Sequence, residues 1–319
     1  MATMLAAILQ GPRRFVMQSM PIPKPEPDEI LVRTKACGIC TSELDMWEGK
    51  AVGLEFPRFI GHEPAGIVEA VGSKVQAIRP GDPVAVWSEG KGYAEFFVAK
   101  EDHAMKLAPS TPLEQALGEP IACSVNGVRK LDPQLNDSVC IVGCGFMGLI
   151  MVQVFRARGV GDIVAVDTRE SILALAKSLG ATHAFNPRTV DVRKAVKDLT
   201  GGAGVDIGVE AAGNQQTLDL TTDLVRMEGK LEVFGFHQGE LRNVNWGYWN
   251  WMAFQIVNGH TRSGRIYVEG MKIGLEMLER GVLKMDRLVT HRYELKEIDK
   301  GFEEGSAKNE NFVKAVVKF

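Results

Sequence analysis

The segment CGICTSELD, residues 37–45, places two cysteines in the C-x-x-C spacing beside hydroxyl and acidic residues. Three kinds of chemistry fit this spacing: a structural zinc knuckle, a reversible disulfide, or one thiolate ligand of a catalytic metal. A structural site with four cysteine ligands needs a second such pair, and the chain has no other C-x-x-C. The zinc knuckle is therefore disfavoured. The choice between the other two depends on partners elsewhere in the chain.

The candidate partners of Cys40 are His62 and Glu63 in GHEPAG, and Glu119 in LGEPIAC. A catalytic zinc uses three nitrogen, sulfur or oxygen ligands and keeps an open position. Cys40 would supply sulfur and His62 nitrogen, while Glu63 and Glu119 compete to supply oxygen. A carboxylate next to a ligand can also support that ligand from outside the coordination sphere. Spacing alone does not bring these side chains together, so purely structural roles stay open.

A second candidate site is the glycine-rich segment VCIVGCGFMG, residues 139–148. It carries G-x-G-x-x-G at Gly143, Gly145 and Gly148, after an apolar run and before a helical pattern. These glycines allow a tight turn, close approach of a pyrophosphate, and packing of helix against strand. Phe146 and Met147 complete the loop, and N–H groups at the start of a helix attract phosphate. The motif predicts a dinucleotide-binding loop.

The preference among dinucleotides depends on Asp167, which ends the next predicted strand, 19 residues after Gly148. A carboxylate there accepts hydrogen bonds from the adenosine ribose and repels a 2′-phosphate, which favours NAD over NADP. Arg169 lies two residues further on and weakens this preference, because an arginine can bind a 2′-phosphate.

The elements that position these residues follow two patterns. Residues 1 to about 110 contain short alternating strands separated by turn signals, which predicts an all-β unit. From about residue 122, apolar strands alternate with helical segments, which predicts an α/β doubly wound parallel sheet. After about residue 263, two helical segments precede a closing strand, FVKAVVKF, which is expected to pack back on the first domain.

Composition excludes several classes of protein. The 319 residues carry a net charge of −3 without a basic block, which argues against a nucleic-acid surface. No run of 18 apolar residues exists, so no membrane span is expected. The N-terminal arginines follow the short apolar stretch instead of preceding it, unlike those of a signal peptide. The five cysteines form no disulfide framework, and we expect a cytoplasmic protein.

Five motifs occur in the order that one family shows: CGICTSELD, GHEPAGIVEAVG, GDPVAV, GEPIAC and VGCGFMG. Through them the whole chain resembles the zinc-dependent medium-chain dehydrogenase/reductase family of alcohol, polyol and threonine dehydrogenases. The resemblance implies a GroES-like, mainly β catalytic domain over residues 1–121 and 263–319. It also implies a Rossmann domain over residues 122–262, and a homodimer or homotetramer.

The resemblance also implies roles for individual residues. Cys40, His62 and Glu119 correspond to the zinc ligands, and Glu63 to an alternate or supporting one. Ser42 stands at the position of the proton-relay hydroxyl, and Glu43 at that of the acid that orients the histidine. Cys123 falls near the expected nicotinamide ring.

Two departures from the family pattern matter. VWSEGKGYAEFF crosses the region where the family has a lobe with four cysteines, so we expect one catalytic zinc and no structural zinc. Asp45 stands where many members carry a histidine that passes the proton to solvent. Asp45 either replaces that histidine, or the proton leaves through water.

The expected reaction is oxidation of a secondary alcohol through a zinc-bound alkoxide, with hydride transfer to nicotinamide. The glutamate ligand and a group of aromatic residues favour a polyol or sugar alcohol, although the aromatic residues also fit core or dimer packing: Trp246, Tyr248, Trp249 and Trp251. His237 follows a predicted strand and fits either a ligand contact or a loop role. Two alternatives stay open, a zinc-free quinone or enoyl reductase and a non-catalytic NAD(H)-binding redox sensor.

Overall fold

The fold is described from a computed structural model that covers residues 2–51, 53–237, 239 and 241–319. The chain divides into two compact units, one running up to Ala122 and resuming at Arg262–Phe319, the other formed by Cys123–Thr261. The strands are β1 (Thr3–Gly11), β2 (Arg14–Pro21), β3 (Glu29–Gly38), β4 (Pro64–Val71), β5 (Pro83–Val86), β6 (Phe96–Lys100), β7 (Ala104–Lys106), β8 (Val139–Val142), β9 (Ile163–Val166), β10 (His183–Phe185), β11 (Val205–Glu210), β12 (Val225–Val233), β13 (Gln255–Asn258), β14 (Val289–Glu294) and β15 (Lys314–Lys318). The helices are α1 (Thr41–Trp47), α2 (Gly118–Leu131), α3 (Phe146–Ala157), α4 (Glu170–Leu179), α5 (Val192–Leu199), α6 (Gln215–Leu224), α7 (Trp246–Met252), α8 (Gly264–Glu279) and α9 (Ile298–Ala307).

The first unit is built on a sheet in the order β14-β15-β3-β4-β5-β7, with β6 also paired to β3. The closing strand β15 runs antiparallel to β3 and places Val316 opposite Gly38. The chain end thus contributes a strand to the sheet of the first unit. This pairing brings residues near position 314 beside the cysteine segment, although they are far apart in sequence.

The prediction that residues 1 to about 110 are all β is wrong at α1, which covers most of the cysteine segment. Leu44 and Trp47 are three residues apart, lie on one helix face and are buried in a hydrophobic core. The Trp47 ring centroid lies 5.9 Å from that of Phe302 on α9. Burial of such side chains stabilises the fold by about 1.5–3 kcal/mol each, which makes a seven-residue helix possible here. The sequence pattern did not reveal this helix, because seven residues are too few to show helical periodicity.

The second unit contains a six-stranded sheet in the order β10-β9-β8-β11-β12-β13, and all of its neighbouring strands are parallel. The four residues of β8 and the four of β9 are buried, as expected for strands covered on both faces. The predicted α/β doubly wound sheet is confirmed. Its order reverses between β8 and β11, and ligands bind at such a switch point, beyond the carboxyl ends of the strands.

Within the described part of the chain, no helix is both long enough and apolar enough to span a bilayer.

Glu232 on β12 is an acid buried inside the second unit. Its two carboxyl oxygens receive no hydrogen bond from the described residues. Burial raises the pKa of Glu232 from 4.5 to about 8, although the charge of Lys130 opposes this. Between these two pH values the carboxyl group is protonated in the folded chain and ionised in the unfolded chain.

We therefore expect the free energy of unfolding to fall as the pH rises from about 5 to about 8.5. Glu232 stabilises the fold fully below its unfolded pKa, and this contribution is lost as the pH passes its folded pKa. The upper limit is about 5 kcal/mol, at about 1.4 kcal/mol per pKa unit. Urea unfolding at about pH 5 and at about pH 8.5 measures how the free energy of unfolding changes with pH. This change should be smaller in Glu232→Gln. Glu228→Gln, on the exposed part of the same strand, is the control. A wild-type slope in Glu232→Gln would exclude this carboxyl group as its source.

Candidate functional site

Three potential metal ligands lie together in the first unit. Among the residues that the structure describes, one atom each from Cys40, His62 and Glu63 forms a group within 4.8 Å of one another. Cys40 is the residue before α1, and His62 and Glu63 precede β4. The structure thus brings together three of the four predicted ligands, which come from two separate segments of the chain.

Glu43 holds the His62 ring in a fixed orientation. Its Oε1 lies 2.8 Å from His62 Nδ1 and also accepts the Gly61 N–H at 2.6 Å. Its Oε2 lies 2.7 Å from the Tyr93 hydroxyl. The contact expected between Glu43 and His62 is therefore present. This bond at Nδ1 leaves Nε2 as the ring nitrogen for a metal.

The backbone before His62 depends on a glycine. Gly61 has φ +103°, and a Cβ there would lie 2.6 Å from the Tyr93 backbone nitrogen. A side chain at this position would push the His62 loop away from Tyr93. The glycine that begins GHEPAG is thus required by the local backbone geometry.

The charges around His62 favour a positive charge at this place. Burial alone lowers the pKa of His62, but Glu43 and then Cys40 outweigh it and raise that pKa well above its usual value. In the same way burial opposes ionisation of Glu43, yet His62, Tyr93 and Gly61 together lower its pKa. These surroundings therefore favour the protonated form of the His62 ring beside Cys40.

The fourth predicted ligand, Glu119, lies in the first turn of α2 and is half-buried. It is outside the three-residue group, although its charge acts on Lys314. Lys314 Nζ donates to Glu63 Oε1 at 2.8 Å and lies 2.7 Å from Oε2. The latter is an ion-pair distance, yet Oε2 receives no hydrogen bond in the described part of the chain. Glu63 is thus nearer to Cys40 and His62, but it is already bound to a lysine.

These donors fit zinc. Thiolate sulfur, imidazole nitrogen and carboxylate oxygen are its usual protein ligands, and the buried Glu63 Oε2 has lone pairs without a donor. The outer contact from Glu43 to His62 is the one that metal-binding histidines commonly have. The first unit therefore contains a group of residues that can bind a divalent metal.

Ser42 and Asp45, the predicted proton-relay residues, both lie on α1. The Ser42 hydroxyl donates to Cys40 Sγ at 3.4 Å, which places it beside the ligand group. Asp45 follows three residues later, on the same side of the helix. Burial raises the pKa of Asp45, and Lys50 opposes that shift.

Cys37 is poorly suited to redox exchange with Cys40. Its side chain is fully buried in the core of the first unit. Burial, followed by the charges of Glu43 and Glu63, raises its pKa well above the usual value. Since the thiolate is the reactive form, this disfavours a reversible disulfide.

The glycine loop of the second unit lies at the predicted place, between β8 and α3. Gly143 has φ +100°, and a Cβ there would lie 2.8 Å from the Ala212 nitrogen. A Cβ on Gly145 would have open space within 4 Å, and one on Gly148 would lie 2.5 Å from the Gly143 carbonyl oxygen. No side chain caps α3, which begins with Phe146, Met147 and Gly148. The loop therefore has the turn, the accessible backbone and the tight packing of a nucleotide-binding loop.

Asp167 lies just past β9, and its carboxylate forms an ion pair with the Arg169 side chain. The Arg169 Nε donates to Asp167 Oδ1 at 3.1 Å, and a terminal guanidinium nitrogen donates to Oδ2 at 3.3 Å. The arginine therefore partly neutralises the carboxylate that would select the adenosine ribose.

Glu210, at the end of β11, joins two neighbouring loops. Its Oε1 accepts hydrogen bonds from Gly213 N–H at 2.7 Å and the Thr217 hydroxyl at 2.6 Å. Its Oε2 lies 2.8 Å from His237 Nε2, and Arg242 Nε donates to His237 Nδ1 at 3.1 Å. Both ring nitrogens of His237 are thus held by the protein, which supports its predicted loop role.

The remaining predicted residues occupy two helices. Cys123 lies on α2 with a half-buried thiol, and its place beside nicotinamide stays a prediction. On α7, Trp249 is buried in the core of the second unit, which confirms the packing interpretation for that residue. Trp246 and Trp251 are 59% and 76% exposed.

Two residues of the site were missed in the sequence. Lys314 carries a charge within the apolar run FVKAVV, and that interruption was a signal of a buried partner. Tyr93 gave no such signal, because its contact with Glu43 joins positions 50 residues apart.

Fold and site together define a class. A strand-rich unit with a Cys-His-Glu group, joined to a parallel sheet with a dinucleotide loop, is the organisation of a metal-dependent, nucleotide-linked dehydrogenase.

Comparison with known proteins agrees with this class. Residues 26–110 match the family described as alcohol dehydrogenase GroES-like domain, and residues 147–280 match zinc-binding dehydrogenase. The chain is 29% identical to sorbitol dehydrogenase of Bacillus subtilis, over 94% of this chain and 93% of that protein. It is 30% identical to L-threonine 3-dehydrogenase of Pyrococcus abyssi, over 85% and 86%. A solved Escherichia coli oxidoreductase of unknown specificity superposes with TM-score 0.91 at 26% identity, covering 99% of both chains.

The chain belongs to the zinc-type, medium-chain alcohol dehydrogenase family. It is an oxidoreductase with a GroES-like domain and a Rossmann-type parallel sheet.

Proposed function

We propose that this protein is a zinc-dependent, nicotinamide-linked dehydrogenase that oxidises a secondary alcohol of the polyol class to a ketone. The observation that carries the proposal is the group of Cys40, His62 and Glu63, with Glu43 fixing the histidine. Such a group is built for a metal, and the glycine loop of the second unit is built for a dinucleotide.

Cys40, His62 and one glutamate, Glu63 or Glu119, would hold the zinc. When bound, zinc supplies Lewis-acid chemistry that lowers the pKa of an alcohol hydroxyl toward neutrality. Glu43 keeps His62 in the orientation that presents Nε2, and Tyr93 supports Glu43 from the far side. These protein groups fix the ligand geometry before a metal arrives.

Ser42 is proposed to accept the proton of the alcohol at its Oγ. Its lone pairs can accept that proton if its own hydroxyl hydrogen, which is directed at Cys40 Sγ, leaves at the same time for the next acceptor, so that the serine stays neutral. Asp45, one turn along α1, would receive the proton next, and burial raises the pKa of its carboxyl group, which makes it a better proton acceptor. The family's histidine is thus replaced by a carboxylate.

The dinucleotide is proposed to place its pyrophosphate against Gly143, Gly145 and the first residues of α3. NAD is favoured because the Asp167 carboxylate, just past β9, would accept hydrogen bonds from the adenosine ribose, and Arg169 moderates that preference.

Replacing Asp167 by Asn should lower kcat/KM for NAD by about 10-fold to 100-fold, because a charged hydrogen-bond acceptor for the ribose is lost. The same change removes repulsion and frees Arg169, so kcat/KM for NADP should rise. Steady-state kinetics with both cofactors measure the ratio. Asp162→Asn, an acid before β9 that is 53% exposed, is the control. An unchanged NAD/NADP ratio in Asp167→Asn would contradict this assignment.

The polyol class is supported by the similarity to sorbitol dehydrogenase and by the Glu63 carboxylate beside Cys40. A screen of primary alcohols, secondary alcohols, polyols and threonine, with NAD and NADP in parallel, tests this proposal. We expect the highest kcat/KM for a polyol with a secondary hydroxyl group. Turnover of quinones or enoyl compounds, without any alcohol, would contradict it.

A further inference from the structure

The second unit contains a buried carboxyl group that has no role in the proposed reaction. Glu232 on β12 is 0% exposed, and neither of its carboxyl oxygens receives a hydrogen bond from the described residues. A buried polar group without such a partner destabilises a fold, and an apolar side chain would avoid that cost. Stability therefore does not explain why an acid is at this position.

Glu232 packs against both segments through which the chain passes between its two units. The chain leaves the first unit after Ala122, within α2, and returns to it after Thr261. We call residues 123–131 of α2 and residues 258–261 the connecting segments. A Cβ on Gly127 would lie 3.0 Å from Glu232 Oε1, and a Cβ on Gly259 would lie 2.9 Å from the same oxygen. Two glycines, one in each connecting segment, thus make room for one carboxyl oxygen.

Two further contacts hold this region together. Lys130 Nζ, on α2, donates to the Asn258 carbonyl oxygen at 3.0 Å and also to the carbonyl oxygen of His260. The Phe234 ring, two residues after Glu232, stacks on the His260 ring, with centroids 6.1 Å apart and planes at 10°. The connecting segments and the end of β12 therefore form one packed group inside the second unit.

The surroundings of Glu232 favour its neutral form. The neighbouring strands place Val209 and Val257 beside it. Burial raises the pKa of Glu232 from 4.5 to about 8, against the opposing charge of Lys130. The other charged or titratable residues that α2, β12 and residues 258–261 place around it are Arg129, Lys230 and His260. Lys230 Nζ donates to the Leu131 carbonyl oxygen, and the Arg129 guanidinium donates to Asn126 Oδ1.

We propose that Glu232 is a pH-sensitive switch: its neutral carboxyl group lets the connecting segments pack together, and its ionised form opens them locally to water. A carboxylate needs water or hydrogen-bond donors, and separating α2 from residues 258–261 lets water reach it. The packed state favours the protonated form and the open state favours the ionised form. Opening therefore becomes easier as the pH rises, and this change levels off above the pKa of the packed state.

The switch would set the freedom of both chain connections between the units at once. It rests on neither the proposed zinc site nor the proposed reaction. It also differs from an effect on global stability, because the opening is confined to the connecting segments and leaves the strands β8 and β9 folded.

Amide hydrogen exchange of the full-length protein, corrected for the intrinsic exchange rate at each pH, tests the switch. In the wild type, the opening equilibrium of the connecting segments should rise about 100-fold between about pH 5.5 and about pH 8, at up to about tenfold per pH unit. Dilute urea should leave this exchange unchanged, because a local opening exposes little surface. Exchange in β8 and β9, which requires global unfolding, should accelerate in urea.

Glu232→Gln cannot ionise, so its connecting segments should show the same opening at both pH values. Glu228→Gln, on the exposed part of β12, should keep the wild-type change with pH. Both variants retain His260, which separates ionisation of the imidazole ring from that of the carboxyl group. If Glu232→Gln does not fold, Glu232→Leu is the second variant without an ionisable group.

Three results would overturn the switch. The first is wild-type exchange in the connecting segments that does not change with pH. The second is a change with pH that persists in folded Glu232→Gln or Glu232→Leu. The third is exchange that responds to urea as strongly as that of β8, which would show that only global unfolding depends on Glu232. The wild-type measurements stand even if neither variant folds.

Discussion

Replacing Cys40 by Ser should abolish alcohol oxidation, with a loss in kcat of about 10³-fold or more. Cys40 is the sulfur donor of the group with His62 and Glu63, and a serine hydroxyl is a far weaker zinc ligand than a thiolate. Lewis-acid stabilisation by the metal is worth several kcal/mol, and each 1.4 kcal/mol is about tenfold in rate. Zinc content and kcat are measured on the same preparation.

Cys37→Ser is the matched control, because it makes the same replacement of a sulfur atom by oxygen three residues earlier in the chain. Cys37 is buried in the apolar core, so a hydroxyl there should lower the melting temperature. Zinc content and kcat of the folded Cys37→Ser protein should stay close to wild type. Equal losses of zinc in both variants would indicate that the two cysteines act together, as in a disulfide or a zinc knuckle.

Replacing Glu43 by Gln should weaken zinc binding by about 10-fold to 100-fold, although Glu43 is not expected to touch the metal. The Glu43 carboxylate accepts from the Gly61 N–H and lies within hydrogen-bond distance of His62 Nδ1 and the Tyr93 hydroxyl. A glutamine presents an NH₂ group to one of these donors and loses the charge that stabilises His62. The zinc dissociation constant from competition with a chelator measures the effect.

Asp45→Asn on the same helix separates ligand support from proton transfer. It should leave the zinc dissociation constant unchanged and lower kcat at neutral pH, because the proposed acceptor after Ser42 is lost. If Glu43→Gln binds zinc as tightly as the wild type, the carboxylate does not support the ligand. If Asp45→Asn keeps the wild-type kcat at every pH, the proton leaves by another route.

The sequence was most informative where chemistry depends on local spacing. The glycine loop was predicted with each glycine's role, because its geometry is set within six residues and the strand before it is plainly apolar. The parallel sheet followed from the same alternation of buried strands and helices. The resemblance to a family then associated Cys40 with His62, which local spacing could not do.

Sequence reasoning was weakest where the fold joins distant segments. Lys314 and Glu63 are 251 residues apart, and only the pairing of β15 with β3 makes them neighbours. Helix α1 was missed because seven residues contain too little periodicity, and its stability comes from burial of Trp47 against Phe302. The choice between Glu63 and Glu119 stayed open for the same reason, because the lysine that contacts Glu63 comes from the chain end.

Zinc-dependent alcohol oxidation is tested by the oxidation rate of a polyol as a function of the zinc content of the wild-type protein. Protein stripped with a chelator is titrated with zinc, and NAD reduction is followed. We expect the rate to rise linearly and to stop rising at one zinc per chain. Full polyol oxidation by the stripped protein, or no oxidation after one zinc per chain has bound, would contradict it.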